Sequence, residues 1–178
     1  PYEIDQDIRR SYKGGFTYLN DVYKGREVGE GLVLDVNSLY PSILHNEELP
    51  FGEPLYFEGQ YKPTKLYPLY IQMFSCAFEL KKNKIPSIQL KNNLSFLPNE
   101  YIKSSNGDII TLTLTNVDLD LFFNQYNVTN ITYHSGWKFK GIRGLFTDYV
   151  NYWTEKKIQA KKEKNKVIYT VSKLLLNL

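Results

Sequence analysis

The sequence has few of the residues that build covalent or metal-held frameworks. One cysteine, Cys76, stands among 178 residues. That excludes an internal disulfide and suits a reducing compartment. The two histidines, His45 and His134, have no ligand-like spacing with Cys76, so no zinc site is expected. No window approaches the roughly 18 consecutive apolar residues of a membrane-spanning helix. The first ten residues are polar and charged, unlike a signal peptide. Internal repeats and long low-complexity linkers are lacking. So is an initiating methionine: the chain starts at Pro1 and stops at Leu178 inside an apolar run. Both ends are expected to be cuts within a longer protein.

What is there is globular in kind: 42% hydrophobic, 15% aromatic and 23% charged residues. This composition excludes a disordered tail, a collagen-like chain and a coiled coil. The formal charge is only +3, but the cations are uneven. Of the 22 basic residues 18 are lysines, and six of these lie between Lys156 and Lys166.

Three stretches differ in texture. Residues 31–35 are apolar, partly β-branched and entered from Gly31, which predicts a short buried strand. Asn37 and Ser38 are helix-capping types, and Pro41 suits the first turn of a helix that continues through His45. Residues 47–144 are rich in Pro, Tyr, Asn and Thr and read mainly as β. A long strand is expected over 67–80. Asn106-Gly107 predicts a type I′ hairpin turn, with Ile110, Leu112 and Leu114 on one face of its second arm. Residues 115–118 form a capping-box pattern opening a helix to about Tyr126, and strand returns over 131–139. From Leu145 onward the periodicity is helical. One stripe is Phe146, Tyr149, Val150 and Trp153; another is Val167, Ile168, Val171, Leu174, Leu175 and Leu178. Two antiparallel helices with a basic connection are predicted.

The segment richest in chemistry is Asp35-Val-Asn-Ser-Leu-Tyr-Pro-Ser42. A carboxylate at a strand end is a hard oxygen ligand suited to Mg²⁺, and the Val36 carbonyl could share the ion. The turn before a helix offers N–H groups to phosphate oxygens, and Ser38 could add a hydroxyl. Tyr40 could lie flat against a sugar or base. The plainer alternative is an Asp/Asn turn that caps a helix.

This segment resembles the first palm motif of the family B DNA polymerases, Asp-x-x-Ser-Leu-Tyr-Pro-Ser. The resemblance implies that Asp35 is one of two carboxylates holding two Mg²⁺ ions, with the Val36 backbone completing a metal shell. It implies that Ser38 and the Leu39 backbone contact the incoming triphosphate. Tyr40 would stack under the deoxyribose and exclude a 2′-hydroxyl. Two metals suit nucleotidyl transfer, activating the attacking oxygen and neutralising pyrophosphate.

Two further segments are similar to motifs of that family. Tyr12-Lys-Gly-Gly15 resembles the Tyr-x-Gly-Gly/Ala motif joining exonuclease and polymerase domains, which implies template-DNA contacts by Tyr12, Gly14 and Gly15. Elsewhere such a glycine pair is simply a turn. Lys173-Leu-Leu-Leu-Asn177 resembles the start of the fingers motif, Lys-x-x-x-Asn-Ser-x-Tyr-Gly, with Leu178 in place of the serine. By that likeness Lys173 binds β- and γ-phosphates, Asn177 helps shape the nucleotide site, and Lys157 is a second phosphate-binding lysine. Such lysines otherwise belong to a solvated helix face. Asp118-Leu-Asp120 is no substitute for the second palm carboxylate motif, because it sits at a predicted helix start.

Residues 47–144 look like the terminal-protein insertion of the protein-primed branch, found in small tailed phages and linear plasmids. Leu49-Pro-Phe-Gly-Glu-Pro54 and Asn99-Glu-Tyr-Ile-Lys-Ser-Ser105 are among the similar segments. Contacts to the priming protein are implied for Lys91, Tyr101 and Asp118.

The expectation is thus an α+β fold: a partial palm (1–46), a β-rich inserted subdomain (47–144) and the first fingers helices (145–178). The parent would be a DNA-directed DNA polymerase in the cytoplasm of a bacterial host, with primer-template DNA, deoxynucleoside triphosphates and a terminal protein as partners. The chain alone is expected to be inactive, because one metal-binding carboxylate is missing, and to self-associate through its C-terminal helix. The competing class is a non-catalytic module that docks a priming protein or DNA.

Overall fold

The computed structural model describes residues 2–89 and 100–177. Lys91, one of the expected priming-protein contacts, lies outside the described residues. The elements run α1 (Tyr2–Arg10), a short 3-10 turn (Asp21–Tyr23), α2 (Leu39–Asn46), β1 (Leu49–Glu58), β2 (Leu69–Leu80), β3 (Ile110–Thr115), α3 (Asn116–Gln125), β4 (Tyr126–Ile142), α4 (Thr147–Lys162) and α5 (Lys166–Leu176). The expected α+β mixture is present. The four strands form one sheet in the order β1-β4-β2-β3, and β2 is antiparallel to both neighbours. The chain divides into two compact units: residues 1–28 with 52–139, and residues 29–51 with 140–178.

The core of the first unit follows from the alternation in β2 and β3. Phe74, Cys76 and Phe78 share one face of β2, and Leu112 and Leu114 share one face of β3. α3 lays Leu119 and Phe122 onto this face, and Tyr126 joins them. Phe122 is fully buried, with ring centroids of Phe74, Phe78 and Tyr126 at 5.8, 5.5 and 5.1 Å. Offset and edge contacts of this kind add to area burial. Burial pushes the Cys76 thiol up to about 11, so it is a core hydrophobe rather than a nucleophile.

Buried polar groups are answered locally. The Tyr126 hydroxyl accepts from the Ser87 N–H at 2.9 Å and donates to the Ile102 carbonyl at 2.9 Å. Gln72 accepts from the Tyr61 N–H and donates to the Gly59 and Ser135 carbonyls, each at 3.0 Å. It thereby pins the loop before β2. His134 meets the Ser75 hydroxyl at 2.6 Å, and Ser75 meets Thr111 at 2.8 Å, a polar chain across three strands. Among the described residues no cluster of His, Cys, Asp and Glu could hold a metal. Gly136 is required where it stands, because a Cβ there would collide with the Ile71 carbonyl and the Phe57 ring.

The N-cap half of the expected capping box is present: Thr115 Oγ1 accepts from the Asp118 N–H at 3.2 Å as α3 begins. The Asn106-Gly107 turn is also present. Both residues have positive φ, 55° and 88°, as type I′ requires. It closes no hairpin, however. Ser104 bridges Glu79, and Ile110 pairs with Cys76. Both arms therefore track the same strand, β2, and the turn is an outward loop in one interrupted edge. The Leu80 N–H donates to the Lys103 carbonyl at 2.7 Å, and the Ser105 N–H to the Phe78 carbonyl at 2.9 Å. A ready central strand outcompeted local self-pairing.

The second unit holds α2, α4 and α5. Ends meet ends in the antiparallel sense expected: the Tyr149 hydroxyl donates to the Leu175 carbonyl at 2.6 Å, and the Asn165 N–H to the Ala160 carbonyl at 2.9 Å. Asn165 caps α5 through the Ile168 N–H at 3.1 Å. One expectation fails here. Residues 31–35 form no strand and are exposed. A strand exists only with a hydrogen-bonded neighbour, and none of the described residues supplies one. In α5 the apolar stripe of Val167, Ile168, Val171 and Leu174 is exposed, while Ser172 and Leu176 are buried.

Candidate functional site

The residues singled out for chemistry in the second unit converge on one cavity of about 650 Å³. Its wall on one side is the segment Asp35, Val36, Ser38, Leu39 and Tyr40. The other side is supplied by Lys157 of α4 and by Lys173 and Asn177 of α5. Some 120 residues of sequence separate Asp35 from Lys157. The tertiary fold gathers them, and it does so through the helix pair. Lys157 is on the inward side of α4, half-buried, three residues before buried Ala160. Lys173 follows buried Ser172.

Local backbone shapes the first wall. Ser38 sits at the N-terminus of α2 with φ 53° and ψ 45°, left-handed values that a residue with a Cβ adopts at a cost. Its hydroxyl makes no cap hydrogen bond. The capping role expected from residue type is therefore not used, and Ser38 lines the cavity. Pro41 lies buried in the first turn of α2, where its missing N–H is harmless. Downstream, Asn46 and His45 tie α2 to the start of α4: the Asn46 carbonyl accepts from Arg143 at 2.8 Å, and the His45 carbonyl from Thr147 at 3.4 Å. At the far wall Asn177 Nδ2 donates to the Lys173 carbonyl at 2.8 Å, closing the last turn of α5.

The electrostatic content is one carboxylate facing two lysines. None of the ion pairs among the described residues uses Asp35, Lys157 or Lys173. A cavity with uncommitted cations, backbone N–H groups at a helix start and a carboxylate on the rim can take a polyanion together with a cation. Sequence reasoning missed Tyr169 and Leu176, which also line it. The signal was present, since Tyr169 lies one helical turn before Lys173 and on its side of α5.

The remaining singled-out residues belong to the first unit. Gly14, Tyr101 and Asp118 line a second cavity of about 370 Å³ with Lys13 and Phe16. Tyr12 is exposed, and Gly14 and Gly15 have open space around their Cα atoms. Lys13, which the sequence did not single out, forms an ion pair with Asp118 at 3.1 Å.

Comparison with known proteins agrees along the whole chain. The family model for type B DNA polymerases, organellar and viral, matches residues 2–178. The DNA polymerase of Bacillus phage phi29 is 47% identical over 174 residues, covering 98% of this chain and 30% of that protein. The DNA polymerase of Streptococcus phage Cp-1 is 32% identical over 183 residues, covering 98% of this chain and 31% of that protein. A solved structure of the phi29 polymerase with primer-template DNA and incoming nucleotide superposes with a TM-score of 0.92 at 46% identity, covering 99% of this chain and 30% of that one. The chain thus spans about a third of the length of the relatives it matches. By motif, fold and family match, the chain belongs to the type B DNA polymerases of the organellar and viral group.

Proposed function

We propose that the chain carries the nucleotide-binding half of a protein-primed, DNA-directed DNA polymerase active in the cytoplasm of a bacterial host. The observation that supports this most is the 650 Å³ cavity, in which Asp35, Ser38, Tyr40, Lys157, Lys173 and Asn177 meet. In this reading residues 1–46 are palm, 47–144 are the terminal-protein insertion and 145–178 begin the fingers.

Each role follows from chemistry. Lys157 and Lys173 hold triphosphate oxygens as point charges. Ser38 and the Leu39 N–H add hydrogen bonds at the helix start. Tyr40 packs its ring against deoxyribose, and Asn177 shapes the far wall. The donors present fit Mg²⁺: the Asp35 carboxylate and the Val36 carbonyl are hard oxygens, and Mg²⁺ is commonly held by one or two carboxylates plus substrate phosphates. When bound, the metal supplies activation of the attacking 3′-oxygen and charge neutralisation at the pyrophosphate. With Asp35 as its single carboxylate at this cavity, the chain alone binds nucleotide without catalysing transfer. Tyr12, Gly14 and Gly15 contact template DNA, and Lys91, Tyr101 and Asp118 serve the priming protein. The exposed stripe of α5 makes the isolated chain self-associate.

The test is titration of the chain with a deoxynucleoside triphosphate and Mg²⁺ by calorimetry, beside a primer-extension assay. The expected result is metal-dependent binding and no synthesis. Lys157→Ala and Lys173→Ala should each weaken binding by about tenfold, the worth of a charge-assisted contact. Equal affinity in wild type and in a Lys157→Ala/Lys173→Ala double variant would remove the reading.

A further inference from the structure

Two of the residues implied as priming-protein contacts are already engaged inside the chain, and with one segment. Asp118 Oδ1 pairs with Lys13 Nζ at 3.1 Å, each side chain only 26% exposed. Lys13 Nζ also lies 3.5 Å from the Ser87 carbonyl. The Tyr101 hydroxyl accepts from the Thr17 N–H at 3.3 Å, and its ring lies 4.8 Å from that of Phe16. Tyr18 completes the aromatic group at 6.4 Å from Tyr101. Residues 13–17 form no helix or strand of their own. Glycine at 14 and 15 makes this stretch conformationally costly to order, so something else must hold it. The second cavity is the gap that remains between the segment and α3.

We propose that Asp118 and Tyr101 are positioning residues that clamp the Tyr12–Thr17 segment. They set its geometry toward nucleic acid from the inserted region rather than acting only through direct contact with a partner. This rests on the reading above that Tyr12, Gly14 and Gly15 meet DNA. Helix α3 suits the task, because Asp118 is fixed at its start: Thr115 Oγ1 accepts the Asp118 N–H and donates to Asp118 Oδ2 at 3.0 Å. The carboxylate thus has one oxygen on its own helix cap and the other on Lys13.

The clamp makes a prediction opposite in sign to simple electrostatics. Removing a negative charge near DNA should tighten binding by lowering repulsion. Asp118→Asn should instead weaken it, because the released segment must be ordered at binding.

Hydrogen exchange and fluorescence anisotropy with a labelled primer-template, on the 178-residue chain, test this together. Lys13→Met and Asp118→Asn should each speed amide exchange over residues 13–17 by about fivefold, the scale of a partly exposed ion pair, and leave Phe74 to Phe78 unchanged. Tyr101→Phe should speed exchange at Thr17 in particular, by loss of its acceptor. Thr115→Ala, which frees Asp118 from its helix cap but removes neither clamp residue, should open the start of α3 and speed exchange over 13–17 by less than Asp118→Asn does. DNA affinity should fall about threefold to tenfold in Asp118→Asn. Unchanged exchange over 13–17 in both Lys13→Met and Asp118→Asn would overturn the clamp, as would DNA affinity that rises in Asp118→Asn. Absence of DNA binding by the wild type would count against the polymerase reading of the segment, and the exchange data would still decide the clamp.

Discussion

Two apolar stretches of similar length have opposite fates. Phe74 to Phe78 in β2 is almost fully buried, whereas Leu32, Val33, Leu34 and Val36 are 83, 96, 83 and 64% exposed. Both read as strand from composition. The difference lies in neighbours: β2 has β4 on one edge, β3 on the other and α3 above its inner face, while residues 31–35 have no paired strand. Apolar sequence gives a segment the tendency to be covered. Coverage itself needs a partner at hydrogen-bonding distance. The exposed stretch leads directly into Asp35, so the stiffness of the candidate metal-binding wall depends on a neighbour that the buried stretch already has.

The contrast can be broken at its strong end first. Phe122→Ala should cost about 3–5 kcal/mol by urea unfolding, since it removes a fully buried ring packed on three others. A loss under 1 kcal/mol would mean that the sheet face is not a continuous core. Next, Tyr126→Phe should cost about 1–3 kcal/mol, because it strands the Ser87 N–H and the Ile102 carbonyl without a partner. The cysteine tests the same face by pH. Its thiol is pushed from an ordinary value of 9.0 up to about 11 by burial. The unfolded chain therefore loses this proton first as pH rises, so stability should fall between about 9 and about 11. Cys76→Ala should lessen that fall without abolishing it, because burial also raises the Tyr70, Tyr126 and Tyr133 hydroxyls, and thiol reagents at neutral pH should label Cys76 only on unfolding.

The smallest effect belongs to the open stretch. Val33→Ser should change unfolding free energy by no more than about 0.5 kcal/mol, as for other exposed positions. Amides 31–36 should exchange fast beside slow amides in β2. Protection of 31–36 equal to that of β2 would show a covered strand and erase the contrast. Addition of a segment that pairs with 31–35 should raise that protection and, on the proposed reading of Asp35, sharpen nucleotide binding with it.

Much of the fold was legible because local rules agreed with tertiary ones. Leu112 and Leu114 alternate with threonines and are buried, and the Thr115–Asp118 box opens a helix as the spacing required. The Asn106-Gly107 pair shows where legibility ended. Turn chemistry specified the backbone at two residues, both with positive φ, but not what the arms would pair with. In α5 the apolar stripe of Val167, Ile168, Val171 and Leu174 marked one face, and that face stands exposed.

For the candidate site the division is similar. Residue type and spacing singled out Asp35, Ser38 and Tyr40, whereas Lys157, Lys173 and Asn177 were named only through the resemblance to family B motifs. The sequence also determined helix, strand and turn wherever the cause lay within a few residues: a cap, an alternation, a glycine. Only the tertiary structure decided that six residues from distant segments share one cavity, that Ser38 is left-handed and makes no cap hydrogen bond, and that Asp118 pairs with Lys13 across 105 positions of sequence. Such outcomes depend on which surfaces compete for burial and which charges find each other once the chain has collapsed. They are settled by the whole set of partners, not by any residue's own preference.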